Sequence, residues 1–297
     1  MTSLEQPPNS QKMTARSLSR AAVRGIAGCL DHKAFARIKR ELMRISPDKV
    51  RNCLKGLIGE EVDVLFVHAS LSSCGKILGG PEAVLSTWRE QCSTLCVPTH
   101  TYCYPSTVGE LGPVFDPGST PSQVGLLTQR SCELAGAVRS LHPTHSIAAI
   151  GKRAEEICRD HDKCETPCGK NTPYEKLVAI DTSVLMFGTT MHAYTLFHTA
   201  EDASASSCAY DDTVDQLRVV ETDRQIKTVA SRRQSRTPRR FRDTDRCLES
   251  AGLLKRCGLG KGEILFIPSA ANVHSFMVDR LRKHPDFLLE SCSRPLI

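Results

Sequence analysis

Thr195, His198 and Glu201 stand three residues apart, so on a helix they share one side. Glu201, or Asp202 beside it, could hold the imidazole of His198 and raise its basicity. A histidine with an ordinary pKa near 6.5 is suited to accept a proton at neutral pH. The plain alternative is a capped helix carrying a surface pair. A second group, Arg139-Ser140-Leu141-His142-Pro143-Thr144-His145-Ser146, clusters histidines and hydroxyls where the chain enters a strand. A third runs from His68 to Glu82: a strand ends, small residues follow, and Gly79-Gly80-Pro81 opens a helix with proline at a first-turn position. Glycines there allow close backbone approach, and the free N–H groups of a helix start attract anions. The reading is a phosphate or pyrophosphate cradle, against an ordinary strand–helix turn. The segment is neither a P-loop nor G-x-G-x-x-G, which disfavours nucleotide hydrolysis and a Rossmann site.

The cysteines suggest other chemistry less strongly. There are 14 of them in 297 residues, scattered through apolar runs. In a reducing compartment they serve mostly as small buried hydrophobes. His161, Cys164 and Cys168 form H-x2-C-x3-C, but no second pair follows at zinc-finger spacing, so no metal is expected.

These residues need elements to position them. Residues 1–13 read as a disordered tail and residues 14–58 as helical, with Leu30, Phe35, Ile38, Leu42 and Ile45 at three- to four-residue steps. From Val62 the texture changes. Strands are expected at Val62–Val67, Thr94–Val97, Ser146–Ile150 and Ser183–Phe187. Helices are expected at Pro81 to about Gln91, Ser122–Leu134, Lys152–Arg159 and from near Ala193. Thr244–Arg256, Glu263–Ile267 and Asn272–Arg282 continue the rhythm. Alternation of this kind predicts an α/β fold: a layered α-β-α domain around a mixed sheet over residues 61–297, preceded by a basic helical extension over 1–60.

Composition bounds the rest. Hydrophobic residues make up 40% and charged residues 24%, which is ordinary for a globular chain. No apolar run is long enough for a membrane span. The best N-terminal run, Ala21 to Leu30, is broken by Arg24, so no signal peptide is read and a cytoplasmic location is expected. Of the net charge of +6, residues 14–55 carry +8 and the remainder −2. The basicity belongs to the N-terminal arm, and nucleic acid is not expected as a partner of the whole surface. Two further stretches are biased. Thr199–Leu217 holds Glu201, Asp202, Asp211, Asp212 and Asp215 without Lys or Arg, and Ser231–Arg242 holds six arginines without an acid.

Six segments in this order resemble the antibiotic N-acetyltransferase family, best known for aminoglycoside 3-N-acetyltransferases. They are VHASLSSCGKILGGPEAVL (67–85), VPTHTY (97–102), FDPGSTPSQVGLLTQ (115–129), RSLHPTHSIAAIGKRAEEI (139–157), TPCGKNTPYEKL (166–177) and VLMFGTTMHAYTLFHTAE (184–201). The resemblance is strong over 62–201 and weaker to about 290. It implies transfer of an acetyl or related acyl group from acetyl-CoA to an amine. His198 would be the general base, with Glu201 beside it and Asp243, backed by Asp245, as an assisting acid. It implies coenzyme contacts along His68, Ser70, Leu71, Ser72, Gly79 and Gly80, with Ser122 and Ser146 added. His142, His145 and His192 would face the acceptor. Backbone N–H groups around Ser70–Ser72 or the Ser122 hydroxyl would stabilise the thioester oxygen. Position 192 is His where an Asp is common in the aminoglycoside enzymes. The acidic stretch would suit a polycationic aminoglycoside, and the arginines an anionic acceptor such as an aminophosphonate in natural-product biosynthesis. Two other readings stand beside this one. One is a covalent transferase using Cys103 or Cys208. The other is a non-catalytic module binding through the basic arm. A homodimer is left open.

Overall fold

The computed structural model describes residues 44–206 and 208–293. Expectations for the first 43 residues lie outside them.

The compact unit begins at Ile45. Ser46 caps helix α1 (Pro47–Ile58) by accepting the Lys49 N–H at 3.2 Å. Pro47 takes a first-turn position that needs no donor, and Gly59 ends the helix at φ 84°. Val50, Leu54 and Leu57 form its buried stripe. They join Leu65, Val84, Trp88 and Leu259 in one core. The sequence reading placed all of 1–60 in an extension. This helix instead belongs to the domain, because its apolar face is buried there.

The chain then alternates strands and helices. β1 (Val62–Ala69) leads through the short α2 (Leu71–Cys74) to α3 (Gly80–Arg89) and β2 (Cys92–Pro98). β3 (Leu111–Phe115) and α4 (Leu126–Cys132) precede β4 (Val138–Arg139) and β5 (Ile147–Gly151). α5 (Ala154–Cys158) and α6 (Pro173–Ala179) lead to β6 (Ser183–Phe187), followed by α7 (Phe197–Ala203). β7 (Tyr210–Val220), β8 (Ile226–Gln234), α8 (Thr244–Ser250), β9 (Lys255–Leu259), β10 (Gly262–Ile267) and α9 (Ala270–Lys283) complete it.

Seven strands form one mixed sheet in the order β4-β5-β2-β1-β6-β10-β9. β1 runs parallel to β2 and β6, and the outer pairs are antiparallel. Alternation along the central strands divides the interior. Leu65, Val67, Leu95, Leu185 and Phe187 face α1, α3 and α4. Val64, Phe66, Cys96, Val184 and Met186 face residues of α5, α6, α7, α8 and α9. Helices on both faces of a mixed sheet match the predicted α-β-α layering.

A second sheet, β3-β7-β8, was not anticipated. Its hairpin β7–β8 is built from the two charge-biased stretches. Leu217, Val219 and Val229 point inward, but so do Asp215 and Ser231, which blurs the apolar alternation of a strand. Two helices are also shorter than their patterns suggest. α4 begins at Leu126 because residues 122–125 form a loop, and α7 begins at Phe197, after a 3-10 turn at Met191–Ala193.

Candidate active site

A cavity of about 330 Å³ opens where β1 and β2 end, with His68 and Ala69 from one strand and Pro98 from the other in its wall. Ligands of open α/β sheets commonly bind beyond the carboxyl ends of parallel strands. The turn before α7 supplies His192, Tyr194 and Thr195, and α7 itself supplies His198. Val124, Thr128, His100, His145 and Phe241 close the remaining sides.

His198 is held from two elements. Its Nδ1 lies 2.7 Å from Glu201 Oε2, one turn along α7. A carboxylate at that distance requires a proton on Nδ1, which leaves the lone pair on Nε2. Glu201 is 1% exposed. Its other oxygen, Oε1, accepts Arg239 Nε at 3.0 Å. Arg239 also donates to the carbonyls of Ser235, at 2.7 Å, and Cys208, beyond the end of α7. Burial by itself would raise the Glu201 pKa. The hydrogen bond from His198 and the charges of His198 and Arg239 outweigh it and hold the carboxyl below its ordinary value. The Gln234 amide nitrogen, fixed by donating to Ala209 O at 2.6 Å, sits 3.1 Å from the same Nδ1. Phe241 packs its ring 5.2 Å from the imidazole.

A second histidine in the wall, His100, is as firmly set. Thr99 and Thr101 donate their N–H groups to Ser146 O and Thr144 O, at 2.8 and 3.2 Å, and continue the β2–β5 pairing. His100, between them, lines the cavity instead. Its Nε2 is 2.7 Å from the Tyr174 hydroxyl. That hydroxyl donates to His145 O at 3.0 Å. Burial, then the charges of His198 and Arg139, lower the His100 pKa to about 4. His145, with Nδ1 2.8 Å from Thr144 Oγ1, is pushed well below its ordinary value, first by burial.

A profile of the aminoglycoside 3-N-acetyltransferases matches residues 66–282, a span that contains every residue of the cavity wall. The chain belongs to the aminoglycoside 3-N-acetyltransferase family. It is 30% identical over 184 residues to aminoglycoside N(3)-acetyltransferase VII of Streptomyces paromomycinus, covering 56% of this chain and 64% of that one. It is 31% identical over 159 residues to aminoglycoside N(3)-acetyltransferase III of Acinetobacter baumannii, covering 47% and 54%. The match thus spans somewhat less than two thirds of these relatives. The fold superposes on the crystal structure of aminoglycoside acetyltransferase AAC(3)-Xa with a TM-score of 0.72 at 21% identity, over 84% of this chain and 98% of that one. It superposes equally, with a TM-score of 0.72, on AAC-IIIb in binary complex with CoASH, at 20% identity over 84% and 100% of the two chains.

Within this family fold the expected site residues divide. His198, Glu201, His68, His145 and His192 come together, the first two as a hydrogen-bonded pair and the rest, with His198, in the cavity wall. Ser70, Leu71 and Ser72 form the adjoining turn and the start of α2. The Ser70 N–H is taken by Phe187 O at 2.8 Å. Gly79 and Gly80 open α3 with positive φ of 77° and 63°, outside the cavity wall. Ser122 donates its hydroxyl to Thr128 Oγ1 at 2.8 Å, because the Thr128 proton already goes to Gly125 O. The Ser122 hydroxyl therefore has no proton left for a thioester oxygen.

Three assignments are corrected. Ser146 is fully buried, donates to Thr99 O at 2.8 Å and accepts Arg139 Nε at 3.1 Å, so it offers a ligand nothing. His142 is fully buried. Its Nδ1 accepts the N–H groups of Thr144 and His145 at 3.3 and 3.2 Å, and its Nε2 bonds Ser231 Oγ at 3.2 Å. It braces the loop and does not face the acceptor. Asp243 is exposed at the start of α8, while the acid on His198 is Glu201. The same segment contributes Phe241 and Arg239 instead.

The two biased stretches meet in two ion pairs. Arg239 pairs with Glu201, and Arg233 Nε bonds Asp215 Oδ2 at 2.9 Å. His161 bonds Ser140 Oγ and Pro167 O at 2.9 and 3.0 Å, and no group of three metal-ligating side chains occurs among the described residues. No helix among them is long and apolar enough to cross a membrane. His100, Tyr174 and Arg239, which shape this site through hydrogen bonds, were not among the expected site residues. The one available signal was His100 standing three residues beyond the predicted strand end at Val97.

Proposed function

We propose that this protein transfers the acetyl group of acetyl-CoA to an amine of a small molecule, directly, with His198 as general base. The observation that carries the reading is the Arg239–Glu201–His198 chain, which fixes the imidazole of a cavity-wall histidine through Nδ1 and leaves the lone pair to Nε2. The relatives' named activity and a structural neighbour's complex with CoASH support this donor and reaction class. The amine attacks as the neutral base: its lone pair closes a C–N bond on the thioester carbonyl while His198 Nε2 takes one N–H proton. The C–S bond then breaks and the departing sulfur takes that proton from the imidazolium, so the products are an amide and the free thiol. General-base help contributes roughly 10²–10⁴-fold, and alignment of thioester and amine adds to it.

A direct route is favoured over a covalent one because the described residues of the cavity wall include no cysteine. Cys103 is buried in the small core with Phe115, Val219 and Val229. Thiol release from acetyl-CoA with a panel of amines tests the proposal. His198→Ala should lower turnover by about a hundredfold. Equal turnover in wild type and variant would overturn His198 as the base. Ping-pong kinetics would overturn direct transfer.

A further inference from the structure

The wall of this cavity carries neither sign of fixed charge. Its described residues include no Asp, Glu, Lys or Arg. Glu201, the carboxylate behind it, already holds the Arg239 guanidinium, and Asp215 holds Arg233. A polycationic acceptor finds no carboxylate here to replace its lost hydration, and a phosphonate finds no cation. What the wall does offer is imidazole nitrogen, aromatic edge and hydroxyl, from His100, His145, His198, Tyr194, Phe241 and Thr195.

The tautomer of His100 follows from its partners. The only proton on the Tyr174 hydroxyl goes to the His145 carbonyl, which can only accept. The His100 Nε2, 2.7 Å from the same oxygen, must then be the donor. Its Nδ1 is left with the lone pair. His198 reaches the same arrangement independently, with Nδ1–H spent on Glu201 and the lone pair on Nε2. Two histidines line one cavity, each fixed through one nitrogen with the other uncommitted to a protein partner, an arrangement that suits a group bringing several N–H hydrogens.

We propose that the cavity takes a primary amine whose remainder is uncharged, and that His100 holds the amine nitrogen beside His198 by accepting one of its hydrogens at Nδ1. This rests on the transferase reading above. One N–H is then directed to the base and a second to His100, which orients the lone pair toward the thioester. His100 thus positions the amine without taking its proton.

The test uses the full-length protein with acetyl-CoA and three probes: 2-phenylethylamine, kanamycin and 2-aminoethylphosphonate. Coenzyme A binding is measured separately by calorimetry. His100→Gln keeps an amide where Nε2 meets Tyr174 but has no acceptor in the place of Nδ1. His100→Asn keeps an acceptor there. Phenylethylamine is expected to be acetylated with kcat/KM at least tenfold above the other two. His100→Gln should raise its KM about tenfold with the KM for acetyl-CoA unchanged, and His100→Asn should recover most of that loss. An unchanged amine KM in His100→Gln, or equal loss in both variants, overturns the role of His100. A preference for kanamycin or the phosphonate overturns the acceptor class and leaves the transferase reading standing. Coenzyme A binding without turnover of phenylethylamine also overturns the acceptor class. No binding of coenzyme A overturns the transferase reading itself, and this inference with it.

Discussion

A carboxylate as deeply buried as Glu201 keeps its charge only if partners replace its lost water, and it has two, His198 and Arg239. Glu201→Gln should strand the buried Arg239 guanidinium, costing about 3–5 kcal/mol of stability, and lower kcat by roughly 10–100-fold, because the imidazolium loses its counter-charge. Steady-state kinetics beside a thermal melt separates the two effects. Arg239→Met removes the partner and strands the charge, so it should cost about 3–5 kcal/mol of stability as well as activity, measured by urea unfolding. Asp243→Asn, on an exposed side chain, should change kcat by less than about twofold. At this scale the sequence is legible over short range and opaque over long range. His198 and Glu201 are readable because helical spacing brings residues three apart together. Arg239 is 38 positions from Glu201, and nothing local says that the two meet. Asp243 was singled out for its chemistry, whereas the fold uses the same stretch for a ring, Phe241, and a guanidinium, Arg239.

Elements whose apolar stripe or alternation is clean were readable: α3, the central strands β1, β2 and β6, and α9. The hairpin β7–β8 was not, because Asp215 and Ser231 occupy inward positions where a strand pattern asks for apolar residues. Their burial makes sense only once Arg233 and His142 are seen opposite them. The start of α1 shows the reverse error, a segment read as an appendage that fills the core. Leu54→Ala should accordingly cost about 2–5 kcal/mol, read from the shift in urea midpoint at unchanged slope. Gly188, at the end of β6, has φ 66°, and a Cβ there would stand 2.5 Å from Ser70 O and 2.7 Å from Cys74 Sγ. Gly188→Ala should push the Ser70 turn aside and lower activity more than a strain of about 1–3 kcal/mol would suggest, because that turn adjoins His68. A melt compared with the KM for acetyl-CoA checks this.

Among the described residues, five histidines are held neutral by their surroundings. Burial, before any neighbouring charge, lowers His68 and His161 to about 3 and His100 to about 4, with His142 and His145 also well below the ordinary 6.5. The unfolded chain binds protons at these sites below pH 6.5 while the folded chain does not. The stabilisation is therefore complete above pH 6.5 and is lost as pH falls toward the folded values. Each such histidine should cost roughly 1 kcal/mol between pH 6.5 and 5.5. Urea titrations at the two pH values should show a loss larger than paired carboxylates produce in that range, reduced in His142→Gln. The clamp on the base has a consequence of another kind. Helix α7 leaves the ribosome with His198 and Glu201 already in place, but Arg239 arrives only after the hairpin has been made. Until then the carboxylate has one partner and no reason to enter the interior. The base is thus completed late, by a segment that must first close a loop of about forty residues. On refolding, sheet content should return before turnover does, and the delay between them is the time the hairpin takes to deliver one arginine.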